Sequence, residues 1–320
     1  MIASTLSIIV SISVFSLVIA AALSPIESLS WWAGWNDADA ADAAPVEIEQ
    51  TTPAHADRRF IIYLSGISTM AGHYLADQEA RFLATLKAHV PDAEIISDIF
   101  PYSPSGAPLL ASPRLLDKVW RRLLAMRLKG RGAMSALANL RNFFQVLVSA
   151  DHRYGPIFNL GAAQVIADAL ERHGYPKGEG APVTIIGFSG GAQVGLGAAP
   201  FLKPALGAPI DLIAIGGVMS SDPGIKSVRA IHRLYGARDG VHKLGAIFFP
   251  ERWRIFSYSQ WNKARRSGKV VAKNIGAMKH SGPRGYFGLQ RYDETRRYVD
   301  DTVTAVIDAL HQKSETAAPR

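Results

Sequence analysis

Short apolar runs alternate with amphipathic segments between residues 58 and 314, a pattern typical of strands that alternate with helices. The apolar runs predict strands at Arg59–Leu64, Glu94–Ile99, Val183–Gly187, Ile210–Ile215 and Ala230–Tyr235. Helices are predicted at Tyr74–His89, Leu160–His173, Gly191–Ala199 and Thr302–Leu310. Because the strands are almost continuously apolar, we expect one α/β domain with a mostly parallel sheet and helices on both faces.

A helical insertion interrupts this alternation at about residues 103–155. From Arg114 to Lys129 the apolar residues form one broad stripe with mostly basic residues opposite, and a second helix is predicted from Met134 to Val148. A basic amphipathic helix of this kind is typical of a lid, of a membrane-surface helix or of a plain packing helix. The sequence leaves these three interpretations open.

The N-terminal residues 2–23 form an uncharged apolar run of 22 residues. At about 1.5 Å per residue this run can cross a bilayer core of about 30 Å. It lacks the basic start of a signal peptide, so we expect a single-pass membrane anchor, with a cleaved signal peptide and secretion as the alternative. The flank after it is acidic, which favours an extracytoplasmic location for the rest of the chain.

Residues 36–57, rich in Ala, Asp, Pro and Thr, predict a flexible linker.

The net charge of +8 is unevenly distributed. Residues 1–57 contain seven acids and no Lys or Arg, whereas residues 114–153 and 251–279 each carry a net charge of +7. Basic stretches of this kind suit an anionic membrane, an acidic substrate, nucleic acid or a solvated face. Aromatic residues lie among the bases of 252–279, and beside a membrane anchor they favour an interfacial surface, so nucleic acid is not an expected partner. The absence of cysteine excludes a cysteine nucleophile and disulfides, and the scattered histidines, which lack H-E-x-x-H spacing, predict no metal site.

The clearest chemical signal is Gly187-Phe188-Ser189-Gly190-Gly191, which follows the strand Val183–Gly187 and leads directly into a helix. A G-x-S-x-G pattern between a strand and a helix predicts a tight turn that exposes the serine hydroxyl above the sheet. The small flanking residues let the helix and a neighbouring strand approach the turn. Ser189 is therefore the predicted nucleophile.

A serine nucleophile needs a base, and the base needs an orienting acid. Asp239 follows the strand Ala230–Tyr235 at the same expected sheet edge, and His280 lies in a loop before the final helix. We take Asp239 as the acid and His280 as the base. Asp222 is the second candidate for the acid, although an ordinary turn aspartate before proline is the favoured interpretation. Two other histidines are set aside, because His242 is expected to face away from Asp239 and His232 to be a core or solvent-facing strand residue.

An oxyanion hole needs two backbone N–H groups near the nucleophile. One is expected from Gly190, the residue after the serine. The other is expected from the loop after the first body strand, where Ile67 is the first choice and Ser68 the second. A simple turn with a helix cap is the alternative for this loop.

Together, Ser65-Gly66-Ile67, the elbow at 187–191, Asp239 and His280 resemble the α/β-hydrolase superfamily. The resemblance implies a Ser-Asp-His triad that hydrolyses esters or related acyl bonds without a cofactor. The sequence departs from the common pattern where Ser65-Gly66 replaces the frequent His-Gly, and where the insertion precedes the nucleophile strand. With the apolar N-terminus, these features predict a membrane-tethered serine hydrolase for a small-molecule or lipid-like acyl substrate. The alternatives are an acyltransferase with the same triad, and a non-catalytic membrane protein that uses the fold for binding or scaffolding.

Overall fold

A computed structural model describes residues 59–69, 75–103 and 132–312, with the backbone alone for 132–138, and the single positions 26 and 29. The expected anchor at 2–23, the linker at 36–57 and the helix predicted at Arg114–Lys129 lie outside these residues. No helix among the described residues is long and apolar enough to cross a membrane.

Six strands and seven helices form the described part of the chain. The strands are β1 Arg59–Leu64, β2 Ala93–Ile96, β3 Val183–Phe188, β4 Ile210–Ile215, β5 Ile231–Tyr235 and β6 Val270–Asn274. The helices are α1 Asp77–His89, α2 Gly132–Ala150, α3 Gly155–Arg172, α4 Gly191–Leu206, α5 Leu244–Phe248, α6 Gln260–Arg266 and α7 Tyr298–His311.

The strands form one sheet in the order β2-β1-β3-β4-β5-β6, and every neighbouring pair is parallel. The chain builds outward from β1 to β2 and then returns to place β3 on the other side of β1. This reversal leaves a crevice beyond the carboxyl ends of β1 and β3, the position where open α/β sheets bind ligands. The predicted elbow and the predicted oxyanion loop both lie at this crevice.

Two hydrophobic cores cover the two faces of the sheet. Alternate residues of β1 serve each core: Phe60, Ile62 and Leu64 pack with α3 and α4, whereas Ile61 and Tyr63 pack with α1 and α7. Both faces are therefore buried, which accounts for the continuous apolar character of the strands. The mostly parallel α/β architecture expected from the sequence is confirmed.

The boundaries of several elements differ from the expectation in explicable ways. Helix α4 continues to Leu206 through Pro200 and Pro204, beyond the predicted end at Ala199. Helix α2 covers the predicted Met134–Val148. Strand β6 was not predicted, because it is an edge strand whose side chains are mostly exposed and include Lys273, so it lacks an apolar run.

Candidate active site

Ser189 lies in a strained turn between β3 and α4. Its φ of 54° makes it the one non-glycine residue with positive φ in the described part of the chain, a conformation that L-residues rarely adopt. Gly187 and Gly191 make the turn possible, because a Cβ at Gly187 would overlap the backbone of Ala192 and one at Gly191 would overlap the carbonyl of Leu64. The glycines of the motif therefore allow the helix and β1 to close around the serine, as the sequence predicted.

The three predicted triad side chains meet at the carboxyl edge of the sheet. His280 Nε2 lies 2.9 Å from Ser189 Oγ, and His280 Nδ1 lies 3.0 Å from Asp239 Oδ2. Since a carboxylate only accepts hydrogen bonds, Nδ1 carries the imidazole proton and Nε2 presents its lone pair to the serine hydroxyl. The contacts join residues that are 91 and 41 positions apart in the chain.

Aromatic side chains fix the orientation of the imidazole. The Phe188 ring stacks on His280 at a centroid distance of 5.1 Å and an interplanar angle of 21°. Tyr286 lies edge-on to the imidazole, donates its hydroxyl to Asp239 Oδ2 at 2.7 Å and accepts the backbone N–H of Gly236 at 2.8 Å. The histidine is therefore held from its face, its edge and its Nδ1 atom.

The surroundings of Asp239 keep its carboxylate ionised. Burial works to raise the pKa of Asp239, but His242, His280 and the Tyr286 hydroxyl outweigh burial and hold the pKa well below its usual range. The Val241 N–H adds a hydrogen bond of 2.7 Å to Oδ1. Burial and the bond to Asp239 in turn raise the pKa of Tyr286, so its hydroxyl stays a donor.

The expectation that His242 faces away from Asp239 is wrong. Its Nδ1 lies 3.7 Å from Asp239 Oδ2, and its ring packs on Tyr235 at a centroid distance of 5.1 Å. The short helical turn at Val241–Lys243 brings positions 239 and 242 to the same side of the backbone. His242 is thus a second imidazole beside the acid, beyond hydrogen-bond distance and with no contact to Ser189.

The two remaining alternative residues, Asp222 and His232, lie outside the Ser189–His280–Asp239 contacts. Asp222 caps the turn at Pro223–Lys226, accepting from the Gly224 N–H at 2.7 Å and from Gln193 Nε2 at 2.8 Å. This confirms the favoured interpretation as a turn aspartate. His232 is buried within β5, and burial lowers its pKa, as expected for a core strand residue.

The predicted oxyanion residues lie side by side next to the serine. A Cβ at Gly66 would lie 3.5 Å from the Ser189 Cβ, and one at Gly190 would lie 3.1 Å from the Ile67 side chain. Within the described residues, neither Gly190 nor Ile67 donates its backbone N–H to a hydrogen bond. Both amides are therefore available to a ligand, and Ser68 is an exposed neighbour.

Two side chains that the sequence did not single out hold the oxyanion loop in place. Asn142, which is buried on α2, donates its Nδ2 to the carbonyls of Ile67 and Thr69, each at 2.8 Å. The Tyr102 hydroxyl donates to the carbonyl of Ser65 at 2.7 Å. The insertion therefore contributes to the candidate site, because one of its helices fixes the backbone of the loop beside Ser189.

A cavity of about 220 Å³ lies between α2 and the loops after β4 and α5. Leu147, Ser220 and Phe248 contribute to its lining, and Ser220 is a buried side chain whose hydroxyl has no hydrogen-bond partner among the described residues. Val218, two residues before Ser220, donates its N–H to the carbonyl of Ser189 at 3.1 Å. The loop that supplies Ser220 is therefore bonded to the turn at Ser189, and the cavity lining combines the apolar Leu147 and Phe248 with the polar Asp151, His152 and Glu251.

No group of His, Asp or Glu side chains in the described part of the chain is arranged to hold a metal ion. No protein-family model matches the sequence, and no curated protein was found to match it. The interpretation of the site therefore depends on its geometry, of which the continuous Ser189–His280–Asp239 contact is the main feature.

Proposed function

We propose that this chain is a serine hydrolase that cleaves ester or related acyl bonds with Ser189, His280 and Asp239, on an α/β-hydrolase-like fold. The observation that carries the proposal is the unbroken pair of hydrogen bonds from Asp239 through His280 to the serine hydroxyl, at 3.0 and 2.9 Å. A serine hydroxyl becomes a nucleophile when a positioned base accepts its proton and a third group orients the base.

In the proposed mechanism, His280 Nε2 accepts the proton of Ser189 Oγ as the oxygen attacks the acyl carbonyl. Asp239 stabilises the imidazolium, since its depressed pKa keeps it charged. The imidazolium then protonates the leaving group, and an acyl-enzyme on Ser189 remains. His280 activates a water molecule in the same way, and the water releases the acid.

The carbonyl oxygen acquires negative charge during both attacks. The N–H groups of Gly190 and Ile67, which have no other partner among the described residues, are the proposed donors to this oxyanion. Gly190 also stands at the N-terminus of α4, where the helix dipole favours negative charge. Ser68 remains the second choice for the donor from the loop.

The substrate is proposed to be a small-molecule or lipid-like acyl compound, presented at a membrane to which the apolar residues 2–23 tether the enzyme. In the cavity between α2 and the loops after β4 and α5, Leu147 and Phe248 supply apolar surface that suits an acyl chain, beside polar side chains such as His152. We propose that the catalytic domain lies outside the cytoplasm, in keeping with the acidic flank that follows residues 2–23.

Covalent labelling with a fluorophosphonate probe tests the proposal directly. We expect the wild-type full chain to react with the probe and to hydrolyse a short-chain ester, and Ser189→Ala to do neither while its circular dichroism stays unchanged. Ser267→Ala is the matched control, since Ser267 lies at the exposed end of α6, where its hydroxyl donates to the carbonyl of Ala264. Labelling that persists in Ser189→Ala would reject the assignment.

Two alternatives predict different results in the same experiment. A scaffold protein of this fold would show no labelling, although the His280–Ser189 distance of 2.9 Å supports a catalytic use of the serine. An acyltransferase would be labelled, but it would transfer the acyl group to an added alcohol or amine faster than to water.

A further inference from the structure

Exposed apolar side chains are concentrated in one segment of the described chain. Eight large hydrophobic residues are exposed in the whole described part of the chain, and five of these eight lie between positions 247 and 258. Ile247, Ile255 and Tyr258 are 64%, 75% and 69% exposed, and Phe248 and Trp253 accompany them. Trp253 and Tyr258 both pack against the Phe256 ring, at centroid distances of 6.4 and 6.1 Å. An exposed apolar patch of this kind marks an interaction site more often than chance exposure does.

The surrounding structure holds these side chains outward. Asn262, buried on α6, donates its Nδ2 to the carbonyls of Trp253 at 2.7 Å and of Phe256 at 3.0 Å. Arg252 turns inward and donates to the carbonyl of Met219 at 2.7 Å. The backbone is thus braced from within the fold, so the exposure of Trp253 and Ile255 is built into the structure.

The same segment is strongly basic. Residues 243–266, which we call the apolar-basic segment, contain six bases and one acid. Five of the bases are exposed: Lys243, Arg254, Lys263, Arg265 and Arg266. None of these five forms a salt bridge with another described residue. Their positive charge is therefore available to an external anion.

We propose that the apolar-basic segment is a docking surface for an anionic lipid bilayer. Exposed apolar side chains insert at the boundary of headgroups and acyl chains, while neighbouring Lys and Arg pair with anionic headgroups. The most exposed residue is Ile255, an aliphatic side chain that gains by entering acyl chains and cannot stack on a base as a nucleic-acid contact would.

The position of the segment connects this surface to the candidate site. It begins four residues after Asp239, and Phe248 packs on Phe143 of α2 at a centroid distance of 5.5 Å. Phe248 is both partly exposed on the surface and part of the lining of the cavity between α2 and the loops after β4 and α5. A docked bilayer would place acyl chains at the mouth of that cavity. This use as a substrate entrance rests on the proposed hydrolase function, whereas docking itself does not.

The absence of cysteine allows a clean test with the full chain. A single cysteine at position 255 (Ile255→Cys) or at the control position 179 (Glu179→Cys) is labelled with an environment-sensitive dye in the Ser189→Ala background. Position 179 is exposed in the loop before β3, at the opposite edge of the sheet. Both variants keep residues 1–57, so an N-terminal tether cannot cause a difference between them.

On vesicles of phosphatidylcholine with about one third phosphatidylserine, we expect a blue shift and quenching by brominated acyl chains at position 255 only. High salt should reverse both effects, because headgroup attraction is screened. Adding Arg254→Gln should lower the ratio of docked to undocked protein about fivefold, the effect of one cation near an anionic surface.

A label at 255 that stays as exposed to water as the label at 179 would overturn the proposal and favour a protein partner for this surface. Protection of position 255 by a DNA duplex, with no response to vesicles, would overturn it in favour of nucleic acid. Docking uses protein that lacks Ser189, so its outcome is independent of ester hydrolysis, which is measured separately on the wild type with a soluble ester.

Discussion

Two loops at the carboxyl edge of the sheet each bury one aspartate. Asp222 follows β4 and Asp239 follows β5, and they are 5% and 1% exposed. Each uses Oδ1 in the same way, to accept the backbone N–H two residues further along the chain, at 2.7 Å in both loops. The difference lies in Oδ2, which meets the amide of Gln193 in one loop and His280 with Tyr286 in the other.

This difference gives the two carboxylates opposite electrostatic properties. Burial raises the pKa of Asp222, although bonds to Gly224 and Gln193 and the charge of His152 oppose it. For Asp239 burial has the same sign, but two histidines and a phenol hold the pKa below its usual range. The capping turn at Oδ1 is the same in both loops and therefore does not distinguish the two aspartates. The residues that contact Oδ2 determine whether the pKa of the carboxyl group is raised or lowered.

The largest expected effect separates the two histidines beside Asp239. His280→Gln should reduce kcat/KM for ester hydrolysis by about 10⁵ to 10⁶-fold, because it removes the base. His242→Gln should reduce it less than about tenfold, since His242 is 3.7 Å from the acid and does not touch the serine. Steady-state kinetics on a soluble ester measure both, and comparable losses in the two variants would contradict the assignment of the base.

Substitution of the two aspartates by asparagine should affect different properties: activity for Asp239 and stability for Asp222. In Asp239→Asn, the Val241 N–H holds the amide oxygen, so the NH₂ group faces His280 Nδ1 and imposes the wrong tautomer; activity should fall about 10⁴-fold. In Asp222→Asn, the NH₂ group faces the Gln193 amide; stability should fall by about 1–3 kcal/mol with activity nearly intact.

Urea unfolding at several pH values tests how the charge of Asp239 contributes to stability. The lowered pKa of Asp239 contributes stability above about pH 4, where an unfolded aspartate titrates, and this stability is lost as the pH falls through the lower folded pKa. The stability difference between the wild type and Asp239→Asn should therefore shrink in acid. An Asp222→Asn protein that is stable but inactive would reverse the two roles.

A smaller loss of activity is expected when the hydrogen bonds between Asn142 and the predicted oxyanion loop are removed. Asn142→Ala removes both hydrogen bonds to the carbonyls of Ile67 and Thr69, so the loop amides lose their fixed position. We expect kcat to fall about 10- to 100-fold, less than the loss of a donor itself, with KM nearly constant. The rate of fluorophosphonate labelling gives a second measurement, and unchanged labelling would show that the loop is positioned without Asn142.

A loss of turnover smaller than that of Asn142→Ala is expected for Tyr286→Phe. The variant loses one donor to Asp239 Oδ2 and leaves the Gly236 N–H without its acceptor, while the contact to His280 remains. Activity should fall about threefold to tenfold, and stability by about 1–3 kcal/mol. Activity as low as that of Asp239→Asn would mean that the tyrosine, and not the histidine contact, defines the role of this carboxylate.

Much of this arrangement could be predicted from local sequence. The elbow requires small residues at fixed offsets from the serine, so Gly187 and Gly191 indicate it directly. Asp239 and His280 follow from the order of chemical groups and from the rule that carboxyl ends of parallel strands share one edge. The contacts expected among these three residues are present, and their chemistry stays a prediction.

Other parts depend on packing between distant segments and leave no local pattern. Asn142 is one of several polar residues on α2, and its role appears only when α2 packs against the loop after β1. Tyr286 is one of ten tyrosines, with no motif around it. His242 was misjudged because its short helical turn has no periodicity long enough to detect.

The backbone at Ser189 has a consequence for the stability of the folded chain. At a φ of 54°, any side chain costs about 1 kcal/mol or more relative to glycine. The folded protein therefore carries this conformational cost at the one residue whose hydroxyl contacts His280. A glycine at this position would remove the backbone cost and the hydroxyl together.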